Sequence, residues 1–241
     1  MIDEGSISPK EVYQIIHTDP AFRALNETNK LYFAKHASLK KYKKSSKIWK
    51  KRSKANACFY LRNGYAEITQ FNKQGEENIQ GFCGPGEIIG LPYLLKKSQY
   101  EDDATIVSKN SQVLMLHLSA AKVEIIGQDK INFLEWQSAQ LIKTEQFLRK
   151  KIHILSAGDL NQRIVELFEQ LIEKFSIQTE DSAEVLFIPF SITKTQIAKI
   201  VGARIETVIR VLRLWERAGH LELSANGVSL KKWKKLKQQR N

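Results

Sequence analysis

The sequence predicts an α+β protein: an N-terminal antiparallel β-barrel, then a long dimerisation helix, then a C-terminal winged helix-turn-helix. Three patterns predict it. Between residues 57 and 118 short β-like runs alternate with turn signals. From about Asp129 to Leu155 a helical stretch without proline places leucine at every seventh position. Residues 192–217 then read as two helices around a glycine turn, followed by a two-stranded wing.

The β-like runs are ACFYLRNGYAEITQF, EENIQGF and SQVLMLHL, separated by Asn63-Gly64, Lys73-Gln74-Gly75 and Gly84-Pro85-Gly86. Short strands at this spacing fit a small barrel or sandwich. In the helix that follows, Leu134, Leu141, Leu148 and Leu155 form a heptad seam that Ile131 and Ile152 continue and Ser138 and Glu145 interrupt. Such a seam is suited to pairing with a second copy of itself. Gly158 suits a helix end and Asp159 a new N-cap, which places the hinge there. The expected domains are 1–128 (sensor barrel), 129–157 (dimer helix) and 158–241 (winged helix-turn-helix). Within the last, DLNQRIVELFEQLIEKF is amphipathic and VLFIPF is strand-like.

With 241 residues, 42% of them hydrophobic, the chain can build two modest cores. No apolar run is long enough to span a membrane, and the opening MIDEGSISPKEVYQ resembles no export signal, so a cytoplasmic protein is expected. The net charge is +12, concentrated in two places. Residues 191–241 carry twelve basic and three acidic side chains; KKYKKSSKIWKKRSK at 40–54 carries nine basic and none acidic. The second cluster reads as a solvated face. The first lies on a frame that suits a polyanion.

In that frame Thr193 caps a first helix, Lys194–Val201, Gly202 permits the turn, and a second helix runs from about Arg204 to Arg217. Val208, Val211, Leu212 and Trp215 give the second helix its packing face, which leaves 205, 206, 209, 210 and 213 outward. Arginine matches the guanine edge, glutamate accepts from the cytosine amino group, and apolar side chains meet a thymine methyl. Ile205, Glu206, Ile209 and Arg210 cover those contacts; Lys194, Thr195, Arg204, Thr207 and Arg213 fall where phosphate contacts orient the helix. GHLELSANGVSLKKWKK closes the module as a hairpin wing around Asn226-Gly227, and its basic tail adds sequence-independent attraction to DNA.

These features together resemble the Crp/Fnr family of bacterial transcription regulators over most of the chain, most strongly in ITKTQIAKIVGARIETVIRVLR. The resemblance implies a cyclic-nucleotide-binding-like jelly roll, a homodimer and a palindromic double-stranded DNA operator, with RNA polymerase as a further partner. It sets Glu206 and Arg210 on the family's base-reading pair, and Ile205 where the catabolite activator branch has an arginine. It also sets GPGEIIGLPYLL and YEDDATIVSK on the segment that cradles a cyclic nucleotide. Gly86, Glu87 and Gly90 fit that pattern, but Leu91 stands for a ribose-binding glutamate, Asp102 and Asp103 for a phosphate-binding Arg-Ser pair, and Leu148 and Arg149 for small hydroxyl residues at the base. An aspartate facing an anionic ligand repels it, so cyclic AMP is not expected in the ordinary mode and no cofactor is predicted. An internal ion pair of Asp102 or Asp103 with Arg149 or a nearby lysine is the expected substitute.

No Ser/His/Asp set, histidine pair or Walker loop argues for an enzyme, and the five histidines lack metal-ligand spacing. Two cysteines, Cys58 and Cys83, are too few for a four-thiolate iron–sulfur cluster; they read as buried structural residues, with a redox pair as the alternative. The rival to a DNA-binding regulator is a sensor or adaptor whose helix pair serves protein contacts alone.

Overall fold

The computed structural model describes residues 8–96, 99–117, 130–178 and 185–233. They form two compact units: residues up to 70 with 82–146, and residues 71–81 with 147–241.

The first unit opens with two helices. Helix α1 (Pro9–Thr18) starts from a capping box in which Ser8 and Glu11 satisfy each other's exposed amides. Helix α2 (Glu27–His36) starts from Asn26. Two four-stranded antiparallel sheets follow. One has the order β1-β8-β3-β6, from β1 (Ala37–Lys43), β8 (Asn110–His117), β3 (Ala57–Asn63) and β6 (Ile88–Ile89). The other has the order β2-β7-β4-β5, from β2 (Lys47–Trp49), β7 (Asp103–Ile106), β4 (Ala66–Phe71) and β5 (Glu77–Cys83). The sheets do not close into the expected barrel; they make a jelly-roll-like pair. A short helix, α3 (Leu91–Lys96), connects β6 towards β7.

The basic segment is not merely a solvated face. It contributes β1 and β2, and its apolar residues Tyr42, Ile48 and Trp49 are buried with Phe59, Tyr100 and Ile106. Lysines alternate with them on the outer side, where charge discourages edge-to-edge pairing of an exposed strand. A second cluster packs α1 and α2 on the other sheet through Phe22, Phe33, Tyr60, Leu114 and Leu116, and takes in Phe133 and Trp136.

Helix α4 (Lys130–Ser156) is continuous. Phe133, Trp136, Gln137 and Gln140 are buried on one side, and the indole of Trp136 donates to the Ala21 carbonyl at 2.9 Å. The seam leucines 134, 141, 148 and 155 remain 38% to 48% exposed, and Ile131, Ile142 and Ile152 more so. Gly158 does not enter the left-handed region as a helix cap would; the Ala157 amide closes the last turn on His153, and the missing Cβ at 158 leaves room for Gln162.

In the second unit, α5 (Leu160–Phe175) starts from Asp159, which accepts the Gln162 amide, and buries Ile164, Leu167, Phe168 and Leu171 as its period requires. A small sheet of order β11-β12-β10-β9 joins β11 (Leu221–Leu223), β12 (Val228–Lys231), β10 (Val185–Ile188) and β9 (Ile177–Gln178). The wing turn differs from a two-residue Asn-Gly hairpin: neither Asn226 nor Gly227 has a positive φ, and Ser224 organises four residues by accepting the 226 and 227 amides on its hydroxyl. Glycine is needed at 227 because a Cβ would stand 2.3 Å from the Ile188 carbonyl.

Candidate nucleic-acid interface and sensor cradle

The helix pair is built from local devices. Helix α6 (Lys194–Val201) starts at Thr193, which forms a capping box with Gln196, and ends at Gly202 with φ +63°. Three residues later α7 (Ile205–Arg217) begins. Val208 and Leu212 are fully buried, Val211 and Trp215 half-buried, and Phe168 lies between Trp215 and Trp233 with ring centroids 6.3 Å from each. On the opposite face Glu206, Arg210 and Arg213 are exposed, with Ile205, Thr207 and Ile209 half-buried at its margins.

Glu206, Arg204, Arg210 and Arg213 make no side-chain ion pair or hydrogen bond among the described residues. Their charges are available. Thr195 is exposed as well, whereas Lys194 is engaged: its ammonium lies 2.8 Å from Glu216, which ties the first turn of α6 to the end of α7. Leu214, 60% exposed beside Arg210 and Thr207 on the helical wheel, was not singled out from the sequence.

The sensor residues lie on a different kind of site. Gly86 turns with φ +83° and donates to the Leu61 carbonyl, and the Glu87 carboxylate accepts the Gly84 amide at 2.7 Å. Gly90, φ +82°, allows Trp49 and Tyr100 to approach to 3.5 Å and 3.4 Å of where a Cβ would stand. Leu91 is 1% exposed and packs in the core. Asp102 and Asp103 are both buried, and each is held from within the same unit. Asp102 accepts from the Trp49 indole at 2.9 Å and from the Tyr93 hydroxyl. Asp103 pairs with the Lys47 ammonium and accepts the Lys51 amide at 2.7 Å.

The aspartate's lysine partner is thus Lys47, from the basic segment. Leu148 and Arg149 belong to the second unit and are exposed. Burial raises the Asp102 carboxyl above the usual carboxylate range, against the opposing hydrogen bonds of Tyr93 and Trp49. Burial and the Asp102 charge push the Tyr93 phenol up in turn. Lys47, Trp49 and Tyr93 were missed from the sequence; a tryptophan inside a run of lysines was the one available signal.

Trp49, Phe59 and Tyr100 stack beside the carboxylate, with centroids 5.2 Å and 4.8 Å from the Trp49 ring. Cys58 and Cys83 form no disulfide and are buried in different clusters, and burial pushes the Cys58 thiol up, away from a reactive thiolate. Among the described residues no His, Cys, Asp and Glu cluster is placed to hold a metal, and no helix is long and apolar enough to cross a membrane.

Two domain-family profiles match the chain: a cyclic nucleotide-binding domain over residues 39–126 and a Crp-like helix-turn-helix domain over 162–239. The cAMP-activated global transcriptional regulator CRP of Escherichia coli is 25% identical over 185 residues, covering 77% of this chain and 85% of that one. The regulator Vfr of Pseudomonas aeruginosa is 23% identical over 76% of this chain and 85% of its own. Among solved structures, FixK2 of Bradyrhizobium japonicum superposes with a TM-score of 0.67 at 17% identity, covering 84% of this chain and 96% of that one. CLP of Xanthomonas campestris, described as c-di-GMP responsive, gives a TM-score of 0.66 at 19% identity over 86% of this chain and 99% of its own. With the two domains in this order and an exposed Glu206–Arg210 face on the second helix of the pair, the chain belongs to the Crp/Fnr family of transcription regulators.

Proposed function

We propose that the protein is a homodimeric, sequence-specific DNA-binding regulator whose sensor domain does not take cyclic AMP in the ordinary mode. The observation that carries the DNA reading is the α7 face: Glu206 and Arg210 stand exposed and unpaired one turn apart, on a helix anchored from behind by Val208 and Leu212. In the major groove Arg210 donates its fork to guanine and Glu206 accepts from cytosine, reading a G·C pair in a TGA-like half-site. Thr195, Arg204, Thr207 and Arg213, with Lys194 once it leaves Glu216, hold phosphates and orient the helix. The exposed stripe of Leu134, Leu141, Leu148 and Leu155 pairs with its copy, and two α7 helices meet half-sites about one helical turn apart in a palindromic operator. RNA polymerase is the further partner of the bound dimer, in the cytoplasm, and no catalysis is assigned.

The cradle residues do not fit a cyclic nucleotide. Leu91 offers the ribose no polar atom, and a phosphate would face two buried carboxylates whose one lysine is already committed. The chain's own Tyr93–Asp102–Trp49 bonds and Lys47–Asp103 pair hold the site instead. Selection of bound sequences from randomised palindromes, followed by gel shift with the wild type and Arg210→Ala, tests the reading. A single enriched operator, bound less selectively by the variant, supports it; no salt-dependent binding to any duplex overturns it and favours an adaptor acting through protein contacts.

A further inference from the structure

Lys151 lies near the end of α4 at 7% exposure, although its run-mates Arg149 and Lys150 are exposed. A buried ammonium ordinarily needs a carboxylate. Among the described residues Lys151 has none; its Nζ donates to two backbone carbonyls, Ile79 at 2.9 Å and Ile200 at 2.7 Å.

Those carbonyls belong to different elements of the second unit. Ile79 is in β5, within the hairpin residues 71–81 that group with the DNA-binding half. Ile200 is the penultimate residue of α6, where carbonyls have no partner inside the helix and the helix dipole favours a cation. Arg163 of α5 stands beside it, with Nη1 3.3 Å from the Val201 carbonyl. Two cations therefore close two successive carbonyls, immediately before Gly202 turns the chain into α7. A second bond joins the same hairpin to the same helix: the Lys199 ammonium pairs with Glu77.

We propose that Lys151 is a positioning residue for DNA reading, tying the β4–β5 hairpin to the C-terminal carbonyls of α6 and so fixing the pose in which α7 presents Glu206 and Arg210. The assignment rests on α7 being the DNA-contacting helix. Only Gly202, Ala203 and Arg204 separate α6 from α7, so a shift at Ile200 passes to the first turn of α7 without slack. The hairpin is in turn the continuation of β4 and β5, strands of the sheet that holds Asp103.

The test uses the full-length protein and an operator selected with the wild type. Lys151→Met is expected to lower operator affinity about tenfold, the usual size of a coupling between sites, with affinity for non-specific DNA and the salt slope unchanged, because no phosphate contact is lost. Glu77→Lys should weaken operator selectivity, and the reversed pair Glu77→Lys with Lys199→Glu should restore it. Hydrogen exchange without DNA should show hairpin and α7 amides loosening together in Lys151→Met. Operator binding equal to wild type in a folded Lys151→Met protein, or a reversed pair no better than Glu77→Lys alone, overturns the proposal. If Lys151→Met does not fold, the charge-reversal set decides. If the wild type itself selects no operator, the reading of α7 fails while the exchange experiment still tests the hairpin coupling.

Discussion

The indole Nε1 of Trp49 donates to the Asp102 carboxylate across 2.9 Å, and the other carboxylate oxygen accepts the Tyr93 hydroxyl. A β2 side chain and an α3 side chain thereby meet on one acid, between the loop that opens β7 and the aromatic stack of Trp49 with Tyr100. The Asp102 carboxyl group is thus held by side chains of its own unit.

Cyclic AMP should accordingly leave the thermal midpoint of the protein unchanged at millimolar concentration. A ligand at a hundred times its dissociation constant stabilises its protein by about 2.7 kcal/mol, which calorimetry resolves easily. Asp102→Ala, in contrast, leaves the Trp49 indole and Tyr93 hydroxyl unsatisfied and should cost about 1–3 kcal/mol. Asp102→Asn should cost less, since it removes a charge that burial disfavours while keeping an acceptor. A cyclic AMP-induced rise in midpoint would refute the closed-cradle reading.

Gly202 carries the turn between the two DNA-binding helices at φ +63°, and a Cβ there would stand 3.2 Å from the Leu155 side chain. Gly202→Ala should cost about 1–2 kcal/mol from the left-handed backbone alone, read as a lowered urea midpoint. A variant as stable as wild type would show that the turn relaxes at no cost.

The helix-turn-helix was legible because every device in it is local: the Thr193–Gln196 box, the glycine turn, and the 208–212 spacing each lie within one or two turns of chain. Strand β2 was not, since Ile48 and Trp49 are two apolar residues amid lysines, and their burial comes from Ala104 and Tyr100 far along the sequence. Strand β7 was hidden by Asp102 and Asp103, whose burial is tolerable because Trp49, Tyr93, Lys47 and the Lys51 amide reach them. The open pair of sheets, in place of a closed barrel, depends on strand orders that alternation of side chains does not encode. Lys151 was invisible for the same kind of reason: within Arg149-Lys150-Lys151 nothing marks the third cation as the buried one.

Burial pulls the Lys151 ammonium down to about 8. The unfolded chain holds that proton to about 10.4, so between the two values the unfolded state binds more protons and stability rises with pH. From pH 7.5 to 9.5 the group should add up to about 2 kcal/mol. Lys151→Met should lack that increment in urea unfolding at the two pH values. The window closes near pH 10, where tyrosines raised by burial, such as Tyr60 and Tyr100, begin to withdraw stability. Equal pH slopes for wild type and variant would contradict the assignment.

At the DNA face, Arg210→Ala should cost about 1–3 kcal/mol at the selected operator and relax preference at one base pair. Arg204→Ala should weaken all duplexes alike and reduce the salt slope by about 1. Lys194→Ala combines two effects, because the side chain also bridges to Glu216; Glu216→Gln isolates the bridge by removing its charge while leaving Lys194 for phosphate. Anisotropy titrations over a range of salt separate the three, and a base-specific loss from Arg204→Ala would reassign that residue.

The long helix buries Phe133 and Trp136 on one side and leaves Leu134, Leu141, Leu148 and Leu155 exposed on another, with Ile131, Ile142 and Ile152 near them. An apolar stripe of that length on one helix is what a coiled-coil partner covers, and leucine at every seventh residue matches a copy of itself. If the helix pairs with its copy along this stripe, the wild type should sediment as a dimer in analytical ultracentrifugation at micromolar concentration and Leu141→Glu with Leu148→Glu, which sets carboxylates against one another, should sediment as a monomer. Since the operator affinity of a dimer draws on two half-sites, the monomer should bind the palindrome roughly 100-fold more weakly while retaining its affinity for a single half-site. A double variant that stays dimeric would move the interface off this helix, and one that is monomeric with full palindrome affinity would remove dimerisation from the mechanism of recognition.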